Sequence, residues 1–398
     1  YRLSQSTNNM PEVCGRICPQ DRLCEGNCVI EQSGHGTVTI GSIEKYLTET
    51  AWENNWIKPI EIKNEVDQSI GIIGAGPAGL ACAEELRKKN YKVTVYDIMF
   101  FGNDFLPKNN KDLKIIKGDI RDHKKLFLSC REHDVFLNLA CISNDTSFIL
   151  DEKLSTSINL NAFEPMVLAA KKAGIKRFIY ASTSSVYGVS SKKNVTEEHE
   201  LVPLTLYNKY KGMCEPLLFN HTNNSFKGVV FRPATVCGYA PRARLDLSVN
   251  ILTNFAVNKN FIKVFGGDQL RPNLHIHDYC DAVEALIKAE DEKISNQIFN
   301  VGYQNLSINE IAHKVKDVVQ KEFPEKGEIS IQRTESDDNR SYHINSDKIK
   351  KVLGFSPKRS IEIAIKDLCE AFKENKIINP FDNDLYFNVK RLQKIQAK

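Results

Sequence analysis

The stretch SIGIIGAGPAGLACAEELRKKNYKVTVYD, residues 69–97, constrains the fold more than any other part of the chain. SIGII reads as a buried strand and Gly74-Ala75-Gly76-Pro77-Ala78-Gly79 as a G-x-G-x-x-G turn. LACAEELRKK follows as a helix and VTVYD as a second strand. Strand, glycine turn, helix and strand in this order make a β-α-β unit with parallel strands. Gly74, Gly76 and Gly79 let backbone approach a pyrophosphate, which rests on the helix N-terminus. Asp97 ends the second strand, 23 residues after the first glycine. A carboxylate there accepts hydrogen bonds from a ribose 2′-hydroxyl and repels a 2′-phosphate. A dinucleotide is expected, NAD or FAD rather than NADP, with a plain tight turn as the alternative.

The same rhythm continues downstream. LKIIKGD, DVFLNLA, RFIYAS and GVVFRP read as strands, and PMVLAAKKAG and YNKYKGMCEPLLF as helices. Strands alternating with helices of this length predict an α/β fold, a doubly wound parallel sheet of the Rossmann type. From about Asp246 the pattern shifts to helices with shorter strands, such as EISIQR and the amphipathic SIEIAIKDLCEAFKE. The expected organisation is a small, helical, cysteine-rich segment over residues 1–60 and a polar linker over 61–68. A dinucleotide-binding domain over 69–245 and a smaller substrate-binding lobe over 246–398 follow. Residues Ile43 to Trp56 read as a helix.

Two residues in the second half carry a specific chemistry. Tyr207 and Lys211 stand one helical turn apart, on one face. A tyrosine, with a pKa near 10, is a poor base at neutral pH, and a neighbouring ammonium favours its phenolate. The spacing alone also fits a solvated pair, but a hydroxyl run lies 24 residues upstream, Ser182-Thr183-Ser184-Ser185-Val186-Tyr187-Gly188. Thr183 can hydrogen-bond a reacting oxygen, so Thr183, Tyr207 and Lys211 could together deprotonate an alcohol while hydride leaves for a nicotinamide. Ser184 and Ser185 read as turn and packing residues; Tyr187 either caps a pocket or packs. Two strand ends complete the expected cofactor site: Asp119 and Ile120 at an adenine edge, and Leu139, Ala140 and Cys141, where small side chains admit backbone. His275, His277 and Asp278 are read as structural.

Of eleven cysteines, four fall close together, Cys14, Cys18, Cys24 and Cys28, as C-x3-C-x5-C-x3-C. Soft thiolates at such density suit iron–sulfur or zinc, and the spacing departs from the C-x2-C pairs of zinc ribbons. An odd cysteine total and no signal peptide argue against a disulfide framework and for a reducing, cytoplasmic setting. The chain opens at Tyr1, and a natural N-terminus upstream is expected. No apolar run is long enough for a membrane span. A net charge of +4 is too small to argue for nucleic acid, and the basic C-terminal stretch with Lys390, Arg391, Lys394 and Lys398 reads as a solvated tail.

Two resemblances cover the chain. MPEVCGRICPQDRLCEGNCVIEQ, HGTVTIGSIEKYLTETAW and GIIGAGPAGLACAEEL closely resemble the glutamate synthase small subunit, in its iron–sulfur domain and FAD-type glycine turn. The resemblance implies [4Fe–4S] ligation by Cys18, Cys24 and Cys28, with Glu44 as a non-cysteine ligand and Cys14 a neighbour. It also implies a second, upstream cysteine group that this sequence does not contain. From about residue 91 onward, VTVYD, KGDIRD, LNLACIS, YASTSSVYG, YNKYK, FRPATVCG, VFGGDQLRPNLHIHDYCDAV and DNRSYHINSDKIKKVLGFSPK resemble the NAD-dependent nucleotide-sugar epimerases and dehydratases of the extended short-chain dehydrogenase/reductase family. That resemblance implies a catalytic triad of Thr183, Tyr207 and Lys211, a substrate pyrophosphate held by Arg271 and Arg340, a substrate-side hydrogen bond from Asn250, and a homodimer. Dehydratases of the family carry acids just after the catalytic threonine; Ser184 and Ser185 stand there here, which favours epimerisation over loss of water.

The chain therefore reads as a chimera, and the junction matters. Aligned on Gly76 and Gly79, the epimerase family's first glycine falls on Ile73, whose branched side chain stands where backbone would approach the phosphates. Three readings compete: an NAD-dependent nucleotide-sugar epimerase, an FAD or iron–sulfur oxidoreductase module like the first 97 residues, and an inactive joined chain.

Overall fold

The computed structural model describes residues 39–54, 56, 66–89, 91–106, 113–190, 192, 194–335 and 341–397. Cys14, Cys18, Cys24, Cys28 and Arg340 lie outside the described residues. The chain divides into two compact units, residues 1–64 with 370–378, and residues 65–369 with 379–398. In the first, a helix runs over Ile40–Glu53, three residues earlier at each end than the sequence suggests.

The second unit is built on a seven-stranded sheet. Its strands are β1 (Ser69–Ile73), β2 (Lys92–Asp97), β3 (Leu113–Lys117), β4 (Val135–Asn138), β5 (Arg177–Ala181), β6 (Lys227–Pro233) and β10 (Gln297–Val301). The order across the sheet is β3-β2-β1-β4-β5-β6-β10, and every pair is parallel. This is the doubly wound arrangement the alternation predicts, with strand order reversing between β1 and β4. Strands covered on both faces read as continuous apolar runs, and VFLN of β4 is buried at all its positions. Ile70 and Ile72 of β1 pack on one face with Leu86, Tyr279 and Val283. Phe136, Phe178 and Val230 pack on the other with Met166, Val167 and Leu218.

The last strand of the sheet, β10, comes from beyond residue 245, so the C-terminal half returns to complete the first. The rest of that half forms two small sheets. β7 (Thr235–Cys237), β9 (Leu270–His275) and β11 (Gln304–Ser307) make one, and β8 (Phe261–Phe265) pairs with β12 (Ser330–Thr334) in the other.

The C-terminal stretch is not a solvated tail. Asn388–Ile395 is a helix with Asn388 and Leu392 buried. Arg391 donates to the Phe100 carbonyl at 2.7 Å and pairs with Asp384 at 3.0 Å, and Lys394 pairs with Asp384 at 2.5 Å. Charge composition describes only the outer face of this helix; its apolar stripe is what docks. Among the described residues no helix is long and apolar enough to cross a membrane.

Candidate active site

The glycine turn leaves β1 at its C-terminal end. Gly74 has φ of +109°, and a Cβ there would sit 2.8 Å from the Ala140 nitrogen. A Cβ on Gly79 would fall 1.8 Å from the Gly74 carbonyl oxygen. These two glycines pack the turn against β4 and the helix against the turn. Gly76 differs, because nothing lies within 4 Å of where its Cβ would be. It faces a cleft of about 700 Å³, also lined by Asp97, Asp119, Ile120, Leu139, Ala140 and Cys141. The helix Pro77–Lys88 starts there with Gly76 as its N-cap and no side-chain cap. Pro77 takes the first position, where the missing N–H costs no helical bond.

Ile73 does not obstruct this arrangement. Its side chain is buried in the cluster with Phe136, on the sheet face opposite the helix Pro77–Lys88, and is not part of the cleft wall. Alternation along β1 turns it away from the turn.

Asp97 accepts from the Ala75 N–H at 2.6 Å and from the Met99 N–H at 2.5 Å. Burial pushes its carboxyl above the usual carboxylate range, and the two backbone donors oppose that shift. Each oxygen keeps a lone pair for a ribose hydroxyl. An open Gly76, an uncapped helix N-terminus and a carboxylate at the end of β2 fit a dinucleotide without a 2′-phosphate.

Across the cleft, Thr205 caps the helix Leu206–Phe219. That helix carries Tyr207 and Lys211 toward the hydroxyl run after β5. Thr183, Tyr207 and Lys211 all line the same cleft as the glycine turn. The Lys211 amine donates to the Ala181 carbonyl at 2.7 Å. Thr183 Oγ1 lies 2.8 Å from Ser185 Oγ, which donates to Asn208 at 2.5 Å. Burial holds the Tyr207 phenol well above its ordinary value, with Cys141 and Asp145 adding to the shift. The carboxylates on the cleft wall are Asp97, Asp119, Asp145 and Asp246, and the two residues that follow Thr183 in the chain are serines.

Arg271 lines the cleft, its guanidinium 5.5 Å from the Tyr342 ring centroid. Asn250 also lines it, but its Nδ2 donates to the carbonyls of Gly238 and Arg244 at 3.2 and 3.1 Å. Its Oδ1 accepts from the Gly238 N–H at 3.1 Å. With both amide protons taken up by backbone, Asn250 shapes the wall rather than offering a donor to substrate. Tyr187 packs: its hydroxyl donates to Asn300 at 2.8 Å and accepts from Arg232 at 2.7 Å. His275 bonds Asp367 at 2.9 Å and caps the helix after it, and Asp278 accepts two backbone N–H groups. Among the described residues no group of side chains could hold a metal ion.

Sequence reasoning missed two features. Under the hydroxyl run, Glu215 holds Arg232 through two bonds and accepts from Ser182 at 2.6 Å. Arg242 and Arg244, in the loop after β7, line the cleft too. Two arginines in a Pro- and Ala-containing loop look like surface charge, and only their burial in the fold distinguishes them.

Comparison with known proteins divides the chain as its motifs do. Residues 1–56 match the family described as "Dihydroprymidine dehydrogenase domain II, 4Fe-4S cluster". The glutamate synthase [NADPH] small chain of Azospirillum brasilense is 69% identical over 97 residues, 24% of this chain and 20% of that protein. The chain spans about a fifth of the length of the curated relatives it matches. Among solved structures, UDP-glucuronic acid 4-epimerase of Bacillus cereus, in complex with UDP-glucuronic acid and NAD, superposes with a TM-score of 0.67 at 24% identity, covering 77% of this chain and all (100%) of that one. The dTDP-glucose 4,6-dehydratase DesIV of Streptomyces venezuelae, with NAD and TYD bound, gives 0.69 at 19% identity, covering 78% and 98%. Likeness at this identity establishes the fold, which epimerases and dehydratases share. Residues 70–302, more than half of the chain, match the family described as "NAD dependent epimerase/dehydratase family", and the chain belongs to that family.

Proposed function

We propose that the chain is an NAD-dependent nucleotide-sugar epimerase. The observation that carries this reading is the convergence of Thr183, Tyr207 and Lys211 on the cleft that holds the glycine turn, with the hydroxyls of Ser184 and Ser185 following Thr183 in the chain. Gly74, Gly76, Gly79, Asp97, Asp119, Ile120, Leu139 and Ala140 form the dinucleotide half. When bound there, NAD supplies a reversible hydride acceptor. Tyr207, as phenolate, takes the proton of a sugar hydroxyl at its Oη; Thr183, turning its proton from Ser185 Oγ, donates a hydrogen bond to the same oxygen; the Lys211 ammonium favours the phenolate. Tyr207 later returns the proton as the carbonyl is reduced from the other face. With serines rather than acids at positions 184 and 185 to meet a leaving hydroxyl, inversion is favoured over dehydration. Arg271 and Arg340 are assigned to the substrate diphosphate, for which the planar guanidinium is suited. The working assembly is a homodimer in the cytosol.

The test is incubation with a panel of uridine-, thymidine- and guanosine-diphosphate sugars, followed by proton NMR. Appearance of an epimer, lost by about a hundred- to ten-thousandfold in Tyr207→Phe, supports the reading. Formation of a 4-keto-6-deoxy product would assign a dehydratase instead. Flavin or iron–sulfur absorbance, with no nicotinamide nucleotide released on denaturation, would favour the oxidoreductase reading.

A further inference from the structure

Arg242 is 2% exposed, and no carboxylate stands within ion-pair distance of it among the described residues. Its neighbour Arg244 is paired with Asp246, through Nε at 2.6 Å and Nη2 at 3.1 Å. Arg242 is thus a buried cation with carboxylates acting on it only from a distance, and burying a charge without a direct partner is costly. Burial lowers the Arg242 pKa to about 9, with Arg244 pushing the same way. A cation in this position calls for an anion from the cleft.

Topology says which part of the cleft. In the sheet β1 lies between β2 and β4, so the loops after β2 and β4 stand on either side of the glycine turn. Arg242 reaches the first of these loops, its guanidinium 3.6 Å from the Phe101 ring centroid and close enough to Asp97 to feel its charge. Arg244 reaches the second, where its Nη1 donates to Ser143 Oγ at 3.1 Å. The two side chains therefore bridge the loops that flank the turn, although their backbone belongs to the loop leading to the substrate side. In the turn the Ala75 N–H is taken by Asp97 and Pro77 has none, which leaves the N–H groups of Gly76, Ala78 and Gly79 to face an anion. The C-terminal helix region aims Arg242: its Nε donates to the Leu385 carbonyl at 2.9 Å and its Nη2 to Asn388 Oδ1 at 2.6 Å. Asn388 in turn donates to Ser143 Oγ at 2.9 Å.

We propose that Arg242 and Arg244 form a cation clamp for the diphosphate of the dinucleotide, adding charge to the backbone donors of the glycine turn, and that Asn388 is its positioning residue. This rests on the reading of the cleft as an NAD site.

Calorimetric titration of nucleotide-free, full-length protein with NAD⁺, and separately with UDP, tests it. Arg242→Gln and Arg244→Gln should each weaken NAD⁺ binding about ten- to a hundredfold, the range for a lost hydrogen bond to a charged group, and leave UDP binding within about twofold. Arg242→Lys should recover part of the loss, and Asn388→Ala should weaken NAD⁺ less than Arg242→Gln. Should Arg242→Gln lower the melting temperature steeply, the less buried Arg244 carries the comparison. UDP affinity falling with NAD⁺ unchanged would hand the pair to the substrate and overturn the proposal, as would both affinities holding. Wild-type protein that binds UDP and no NAD⁺ would overturn the parent reading, and the clamp with it.

Discussion

The ammonium of Lys211 donates to the carbonyl oxygen of Ala181 at 2.7 Å, joining the helix that carries Tyr207 to the end of the strand that leads into Thr183. One residue thus does two things. It pins that helix to β5, and it places a positive charge one helical turn along from Tyr207.

Removal of that charge gives the first prediction. Burial already holds the Tyr207 phenol well above its ordinary value, so the phenolate is scarce at neutral pH unless a cation favours it. Lys211→Met should lower turnover by at least about a hundredfold. The rise of kcat/KM with pH should also move to higher pH, because the base form then needs more alkaline solution. A profile whose rise stays where the wild type has it would remove Lys211 from the tuning of Tyr207.

The glycine turn separates fold from function. Gly79→Ala places a methyl 1.8 Å from the Gly74 oxygen and should cost about 1–3 kcal/mol or more in a urea titration. Gly76→Ala meets nothing within 4 Å, so stability should hold within about 0.5 kcal/mol while NAD⁺ affinity falls. Equal losses of stability in the two variants would contradict this division.

Beneath the hydroxyl run, Arg232 and Glu215 are paired at 2.5 Å with both side chains 3% exposed. Burial alone would lower the Arg232 pKa, and the Glu215 carboxylate raises it above its ordinary value. Either single change, Arg232→Met or Glu215→Gln, removes one member of a buried pair and should cost about 3–5 kcal/mol. The double variant should cost less than the sum of the two, measured as a thermodynamic cycle in denaturant. Strict additivity would show that the pair is not coupled.

Asp97 makes a pH prediction. Its folded carboxyl titrates above the ordinary value of 3.8 because burial disfavours the charge. The folded state therefore holds this proton more tightly than the unfolded state, and stability falls as pH climbs from the unfolded value through the folded one. Asp97→Asn lacks this descent. The wild-type stability minus that of the variant should be more favourable near pH 4 than near pH 6.5 by urea midpoints. A difference that grows with pH would reverse the sign.

Much of the dinucleotide half was legible from local pattern. Apolar runs, a glycine turn and an acid at the end of the second strand each follow from rules that operate within about thirty residues. The Tyr207 and Lys211 pairing is of the same kind, since i and i+4 share a helix face wherever the helix lies. Ile73 marks where such reading fails. Its motif register suggests a clash with phosphate, yet strand alternation buries it with Phe136 on the opposite face.

What the sequence by itself determined is the doubly wound sheet and the sharing of one helix face by Tyr207 and Lys211, because those depend on short-range periodicity and on residue type. What only the tertiary structure decided is where charges end. Arg242 in one loop, Ser143 in another and Asn388 near the C-terminus are far apart in the chain and meet through Arg244 and the docked face of the last helix. Burial converts an arginine that would be solvated on a surface into a cation with no ion-pair partner among the described residues, facing a cleft, and burial is set by packing between elements, which no local pattern encodes.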